Sequence, residues 1–296
     1  MIIGTRGSAL ALAQTNMVMS AIRERYPDLT IEVRKISTTG DNVTDRPLSS
    51  LGGFGAFTKE LDQRIISQEI DVAVNSLKDM PVDLTPGTAL AAVLPRGPIE
   101  DVLVGPYTFD SLPHGAVVGT SSVRRAALVR HLRPDLEVKD LRGNVQTRLR
   151  KWSEGMYDAI ILARAGIERL GLDQPYHVLD PEVFVPAVGQ GAIAVVCLEN
   201  SRFLDHLTAL NDPVTRLEGD AERSIMKALG GGCSVPIGVW ARLKGNKLRV
   251  RGSLIAESFD RSIEVDRLVP LDSLDEGLTS VSKELSEGMG GKRCGE

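Results

Sequence analysis

Several things are scarce in this chain. Only 12 of its 296 residues are aromatic. Binding of single-stranded nucleic acid leans on stacked aromatic side chains, so that class of partner is disfavoured. Cysteine occurs three times, as Cys197, Cys233 and Cys294. Three scattered cysteines make neither a disulfide framework nor a zinc motif. The four His (His114, His131, His177, His206) are equally scattered, so no metal is expected. No apolar run approaches the ~20 residues that a membrane-spanning helix needs. The opening Met1-Ile2-Ile3-Gly4-Thr5 has no basic segment followed by an apolar one, which argues against a secretory signal. A cytoplasmic, metal-free protein is the expectation.

What is present is ordinary in bulk and uneven in detail. Hydrophobic residues are 42% and charged residues 25% of the chain, the profile of a globular protein. The length suits two to three domains at ~150 residues each. Net charge is −4, yet the basic residues divide into 25 Arg and only 10 Lys. Arg is the side chain for two-pronged capture of carboxylate and phosphate; a composition bias of the source genome would give the same count. Position separates the two readings better than number. Between Val118 and Arg169 there are nine Arg and two Lys against six acids, a local net of +5 that leaves the rest at −9.

The patterning predicts alternating strands and helices. Strands are expected at Ile2–Thr5, Thr30–Ser37, Asp71–Asn75 and Ala89–Leu94. Helices are expected at Ala9–Tyr26 and from a Thr58 cap through Ile66. Thr38–Phe57 has no periodicity and reads as a long mobile loop. After Pro95-Arg96-Gly97-Pro98 the alternation resumes, with strands at Asp101–Val104, Ala116–Gly119, Leu136–Asp140 and Asp158–Leu162. Helices fall at Val123–Leu132, Val145–Trp152 and Ala165–Leu170. Such alternation argues for α/β domains with largely parallel sheets. A second crossing near Pro186–Gly191 leads to an apolar strand, Ala192–Leu198, that should return to the first domain. The tail differs: a helix over Pro213–Leu229, three alternating stretches (Ile237–Arg242, Lys247–Leu254, Ser258–Leu268), and a helix over Leu274–Glu287. That reads as an α+β module with an antiparallel sheet. The domain expectation is 1–95 with 191–210, then 96–190, then 211–296.

Three turns place Arg between a strand and a helix. They are Thr5-Arg6-Gly7-Ser8, Gly119-Thr120-Ser121-Ser122-Val123-Arg124-Arg125, and Leu141-Arg142-Gly143-Asn144-Val145-Gln146-Thr147-Arg148. Each offers Ser, Thr or Asn at a helix start, free backbone N–H groups and a partial positive dipole. Any one of them could be ordinary N-capping beside a solvated Arg. Three together point to a ligand with several carboxylates or phosphates. Lys78 and Asp79 sit side by side at the end of a buried strand. They could be a surface ion pair, or a carboxylate placed to steady a developing cation or pass a proton. Cys233 follows three glycines and precedes Ser234-Val235-Pro236, so its thiol should be reachable as a nucleophile or covalent tether.

Taken in order, these stretches resemble the porphobilinogen deaminase (hydroxymethylbilane synthase) family over nearly the whole chain. The residues that carry the resemblance are Thr-Arg-Gly-Ser-Ala-Leu-Ala-Leu (5–12), Thr-Gly-Asp (39–41), Phe-Thr-Lys-Glu-Leu (57–61) and Ser-Leu-Lys-Asp-Met-Pro (76–81). They continue with Gly-Thr-Ser-Ser-Val-Arg-Arg (119–125), Leu-Arg-Gly-Asn-Val-Gln-Thr-Arg-Leu (141–149), Asp-Ala-Ile-Ile-Leu-Ala (158–163), Pro-Ala-Val-Gly-Gln-Gly-Ala (186–192) and Gly-Cys-Ser-Val-Pro (232–236). The resemblance implies two periplasmic-binding-protein-like α/β domains with a hinged cleft, and a C-terminal α+β domain that carries the cysteine. It implies a transferase of tetrapyrrole and heme biosynthesis that condenses four porphobilinogen molecules into hydroxymethylbilane with release of ammonia. It also implies a dipyrromethane cofactor, thioether-linked to Cys233, that primes the chain and is kept. By match, Asp79 is catalytic, handling protons at the pyrrole nitrogens and steadying the azafulvene-like cation left when ammonia departs. Lys78, Ser121, Arg124 and Arg125 hold cofactor carboxylates; Arg6, Ser8, Arg142, Arg148 and Arg169 hold substrate and growing chain. The implied protein is a monomer that hands its product to the next enzyme of the pathway.

The charges agree with that ligand. Each porphobilinogen brings two carboxylates, about a dozen over primer and chain, and burying them without paired cations would be prohibitive. The sequence also departs from the family. Gly52-Gly53-Phe54-Gly55 lacks the usual Lys, although Lys59 follows. Asn75 stands where the family has His, and Gly230 where it has Glu. A non-catalytic binder of a polyanionic small molecule would need neither Cys233 nor Asp79.

Overall fold

The computed structural model describes residues 1–38, 58–230, 236–256 and 258–288. From the N-terminus the elements are β1 (Ile2–Arg6), α1 (Ala9–Arg25), β2 (Glu32–Ile36), α2 (Lys59–Ile66), β3 (Val72–Ser76) and β4 (Thr88–Val93). Next come β5 (Asp101–Val104), β6 (Val117–Gly119), α3 (Val123–Leu132), β7 (Glu137–Lys139), α4 (Val145–Ser153), β8 (Ala159–Ala163), α5 (Arg164–Arg169) and β9 (His177–Val178). Then follow β10 (Ile193–Leu198), α6 (Leu204–Thr208), α7 (Pro213–Ala228), β11 (Ile237–Lys244), β12 (Lys247–Ile255), β13 (Ser262–Pro270) and α8 (Leu274–Glu287). These fall into two compact units, Met1–Gly97 with Gly191–Leu217, and Pro98–Gln190 with Glu218–Glu296.

The first unit is built on a five-stranded sheet in the order β2-β1-β3-β10-β4. β1 runs parallel to β2 and β3, while β10 runs antiparallel to both β3 and β4. One face carries Ile3, Val72, Val74 and Val195 against Val18 and Ile22 of α1. The other packs Ala73, Ala194 and Val196 against Leu61 and Ile65 of α2. The period-2 alternation of a strand produces this division, and it puts Asn75 on the α2 side. Gly4 is required there, because a Cβ would lie 2.3 Å from the Ile70 side chain and 3.2 Å from that of Leu61.

The second unit holds two sheets. One has the order β7-β6-β8-β5-β9, with β6 parallel to β7 and β8, and β5 antiparallel to β8 and β9. The other is the antiparallel meander β11-β12-β13, over which α8 buries Leu278, Val281 and Leu285. The mixed α/β architecture and the separate C-terminal antiparallel sheet are both as expected. The two α/β sheets are mixed rather than largely parallel, however. β5 and β10 are entered from the two crossings and not through a crossover helix, so nothing forces them parallel to their neighbours.

β11 is an edge strand, and its outward N–H groups need partners. Val239 donates to the Pro186 carbonyl (3.0 Å). Ala241 and Leu243 donate to the carboxylates of Glu222 (2.8 Å) and Glu218 (3.0 Å) on α7. Residues four apart on a helix thus meet residues two apart on a strand. The other Glu222 oxygen accepts from Gly189 N (2.7 Å), which ties the Pro186–Gly191 segment to the same helix.

Thr58 does not cap α2. Its backbone is helical (φ −115, ψ −25) and its side chain makes no cap bond; a cap needs an extended residue there. The expected loop at 38–57 lies outside the described residues, apart from a buried Thr38. β13 starts four residues later than the alternation suggests, after a turn containing Phe259 at φ +61.

Candidate anion-binding site

In the first unit, β1 ends on a half-buried Arg6. Ser8 follows in extended conformation and accepts a hydrogen bond from Ala11 N (3.2 Å), capping α1. β3 ends at Ser76, whose hydroxyl is bonded to Gln14 of α1. A short 3₁₀ turn, Leu77–Asp79, comes next. Leu77 is buried and its N–H donates to the Ala192 carbonyl (3.0 Å). That bond anchors the turn and leaves Lys78 and Asp79 half-buried beyond it. Asn75 is 5% exposed and its amide nitrogen has no hydrogen-bond partner among the described residues.

In the second unit the other two Arg-bearing turns lie side by side. Thr120 N donates to the Lys139 carbonyl (3.0 Å) and the Ser121 hydroxyl to the Leu141 carbonyl (2.5 Å), joining the ends of β6 and β7. Ser122 caps α3 and Asn144 caps α4, the latter accepting from Thr147 N (2.8 Å). Gly143 sits at φ +114, where a Cβ would press to 2.7 Å from Thr147. Glycine is therefore needed for the turn to tuck against its helix. Arg142 and Arg148 are half-buried, and Arg148 Nε donates to the Gly143 carbonyl (2.8 Å). Arg169, the last residue of α5, is half-buried, and burial pulls its pKa down against the opposing effect of Glu168.

Arg124 and Arg125 stand apart from this set. They are 5% and 6% exposed and share a wholly buried partner, Asp101. Arg124 donates to Asp101 Oδ2 (2.6 Å) and to the Val185 carbonyl (2.8 Å). Arg125 donates through Nε (3.1 Å) and Nη2 (2.7 Å) to Asp101 Oδ1, and through Nη1 to the Ile161 carbonyl (3.1 Å). Gln190 completes the cluster, donating to Asp101 Oδ1 (2.9 Å) and to the Ile99 carbonyl (2.7 Å). Burial pushes the Asp101 pKa up, but the two guanidiniums outweigh it and hold the carboxylate well below its usual range.

Sequence reasoning finds Arg124 and Arg125 but not the residues that hold them. Asp101 opens an otherwise apolar strand, Asp-Val-Leu-Val, where a carboxylate is out of place unless paired; that was the available signal. Gln190 and Glu222 carry no such mark. Cys233 lies outside the described residues. Cys197 is buried in β10, where burial raises its thiol pKa. Among the described residues no cluster of His, Cys, Asp and Glu could hold a metal ion, and no helix is long and apolar enough to cross a membrane.

Ser- or Asn-capped turns with Arg beside them thus follow strands in each of two α/β units, an arrangement whose donors are suited to carboxylates. Residues 1–206 match the domain described as "Porphobilinogen deaminase, dipyromethane cofactor binding domain" and residues 217–286 the "Porphobilinogen deaminase, C-terminal domain". The chain belongs to the porphobilinogen deaminase family. It is 48% identical over 258 residues to a porphobilinogen deaminase of Roseiflexus sp. (strain RS-1), covering 86% of this chain and 85% of that one. It is 42% identical over 301 residues to a probable porphobilinogen deaminase of Methanosarcina acetivorans, covering 100% and 94%. A solved periplasmic binding protein of Salmonella typhimurium overlaps loosely, at a TM-score of 0.40 and 13% identity, covering 75% of this chain and 96% of that one.

Proposed function

We propose that this chain is a hydroxymethylbilane synthase of tetrapyrrole biosynthesis. It condenses four porphobilinogen molecules head to tail and then frees the linear product by hydrolysis. Each joining breaks the aminomethyl C–N bond of one porphobilinogen and forms a C–C bond to the free α-carbon of a neighbouring ring. That carbon loses its proton and ammonia leaves.

The observation that carries the reading is the repeated turn. Ser8, Ser122 and Asn144 each cap a helix that follows a strand by a short turn, with Arg alongside. Such turns suit carboxylates, and a dipyrromethane group bears four of them. The donor chemistry therefore fits the group. Cys233 would hold it by thioether, with Lys78, Ser121, Arg124 and Arg125 toward its carboxylates. When bound, it supplies the pyrrole carbon on which the chain is extended. Arg6, Ser8, Arg142, Arg148 and Arg169 hold the carboxylates of incoming substrate and growing chain. Asp79 is the catalytic residue: its carboxylate accepts hydrogen bonds from pyrrole N–H groups, opposes the positive charge that develops as ammonia departs, and relays the proton. Residues 211–296 act as the domain that carries the tether. The protein works as a cytoplasmic monomer and passes its product to the next enzyme.

Intact mass tests this. Protein supplied with porphobilinogen should be heavier than its sequence by two condensed pyrrole units, and Cys233→Ser should remove the excess. Protein that stays at its sequence mass after such treatment would sink the reading.

A further inference from the structure

The Asp101 cluster has a charge imbalance. Two guanidiniums and one carboxylate leave a surplus of one positive charge, all three side chains being more than nine-tenths buried. Among the described residues, the charges that bear on Asp101 and Arg124 are those of this cluster's own three groups. A buried unpaired charge is costly. The hydrogen bonding is uneven as well. Arg125 engages all three of its nitrogens, whereas Arg124 Nε is buried with no partner among the described residues.

We propose that Asp101 is a positioning residue that sets this cluster to a net charge of +1, so that it takes up one ligand carboxylate, with Arg125 serving to hold Asp101 and Arg124 supplying the unmatched charge. This rests on the function proposed above. It separates two arginines that motif matching treats alike. The ligand meets the surplus charge, and Arg125 contributes to that surplus without being needed as a contact.

The consequence is a rescue. Arg125→Met leaves Asp101 and Arg124 as a neutral pair. Asp101→Asn with Arg125→Met restores the surplus with Arg124 alone. Apoprotein of each variant is titrated with porphobilinogen, and the fraction carrying two added pyrrole units is read by intact mass. Arg125→Met should raise the porphobilinogen concentration for half-loading about tenfold or more, and the double variant should recover most of that loss. A double variant no better than Arg125→Met would overturn the proposal, because Arg125 would then be a contact in its own right. Unchanged loading in both would overturn it equally.

A second readout is the rise in thermal midpoint on loading, followed by circular dichroism. It should be largest for Asp101→Asn (net +2), intermediate for wild type and smallest for Arg125→Met. Asp101→Asn that folds only when porphobilinogen is supplied is the extreme of that order. Arg125→Gln, which keeps a donor for Ile161, replaces Met if the latter does not fold. The reverse order would refute the charge argument. The wild-type arm separates the two readings: wild type that gains no mass speaks against the function, whereas wild type that loads normally beside an unrescued double variant speaks against Asp101 alone.

Discussion

Glu222 should be among the costliest surface-independent positions to change. Its side chain is 0% exposed and accepts from two backbone N–H groups, Gly189 at 2.7 Å and Ala241 at 2.8 Å. Hydrogen bonds to a charged acceptor contribute about 1.5–3 kcal/mol each, and an abandoned buried donor loses its solvation as well. Glu222→Ala removes both acceptors at once. The expected loss is therefore roughly 3–6 kcal/mol, a large share of the ~5–15 kcal/mol that holds a typical domain together. Glu222→Gln keeps one oxygen but turns an N–H toward the other backbone donor, so about half the loss should remain. Urea denaturation followed by tryptophan fluorescence suits the measurement. Trp240 adjoins Ala241 on β11 and donates to the Pro181 carbonyl (3.1 Å). The midpoint should fall by about 1–2 M urea for the Ala variant with little change in slope. A loss below about 1 kcal/mol would show that the β11 edge is satisfied without this carboxylate, and would remove the reason given for the acidic pair on α7.

Three further outcomes are expected. Asp79→Ala should keep its circular dichroism spectrum while ammonia release falls by about 10²-fold or more; release at the wild-type rate would remove Asp79 from the chemistry. Asp62 is 5% exposed and burial raises its pKa, against the lowering effect of its bond from Thr85 (2.7 Å). A carboxylate whose folded pKa is raised destabilises the fold above that pKa and is neutral in both states below the unfolded value. Asp62→Asn should therefore be more stable than wild type at pH 7, with the advantage shrinking toward pH ~4; an advantage independent of pH would contradict the assignment. A Cβ on Gly238 would lie 2.4 Å from the Val185 carbonyl oxygen. Backbone cannot yield as a side chain can, so Gly238→Ala should lower stability by roughly 1–3 kcal/mol in the same urea assay. A neutral result would mean that the segment at Val185 is looser than the bond its carbonyl accepts from Arg124 indicates.

The order of strands and helices was legible because each core face leaves its period in the sequence. Val72 and Val74 face α1 while Ala73 faces α2, and a two-residue period carries that plainly. Ser8, Ser122 and Asn144 were legible as caps for the same local reason. What stayed hidden depends on partners far away in sequence. Thr58 has the residue type of a cap, but its backbone does not adopt the conformation. The antiparallel entry of β5 and β10 is decided by where the chain crosses, which no window of residues records. The Glu218 and Glu222 pair looks like any polar helix face until β11 lies against it.

The arginines show why charge density alone could not locate the ligand. The +5 segment between Val118 and Arg169 contains at least three kinds of Arg. Arg133 lies against Asp135 and the carbonyls of Phe109, Asp110 and Leu112. Arg150 and Arg164 make pairs with Glu154 and Glu168 four residues on, which contribute little to stability. Arg124 and Arg125 are buried around a single acid. Only this last arrangement concentrates positive charge where water cannot screen it, and there a carboxylate gains most from arriving. A count of exposed cations would rank these arginines last. Ranked by unneutralised buried charge, they come first, and Asp101, which lowers that charge from two to one, becomes the residue that tunes it.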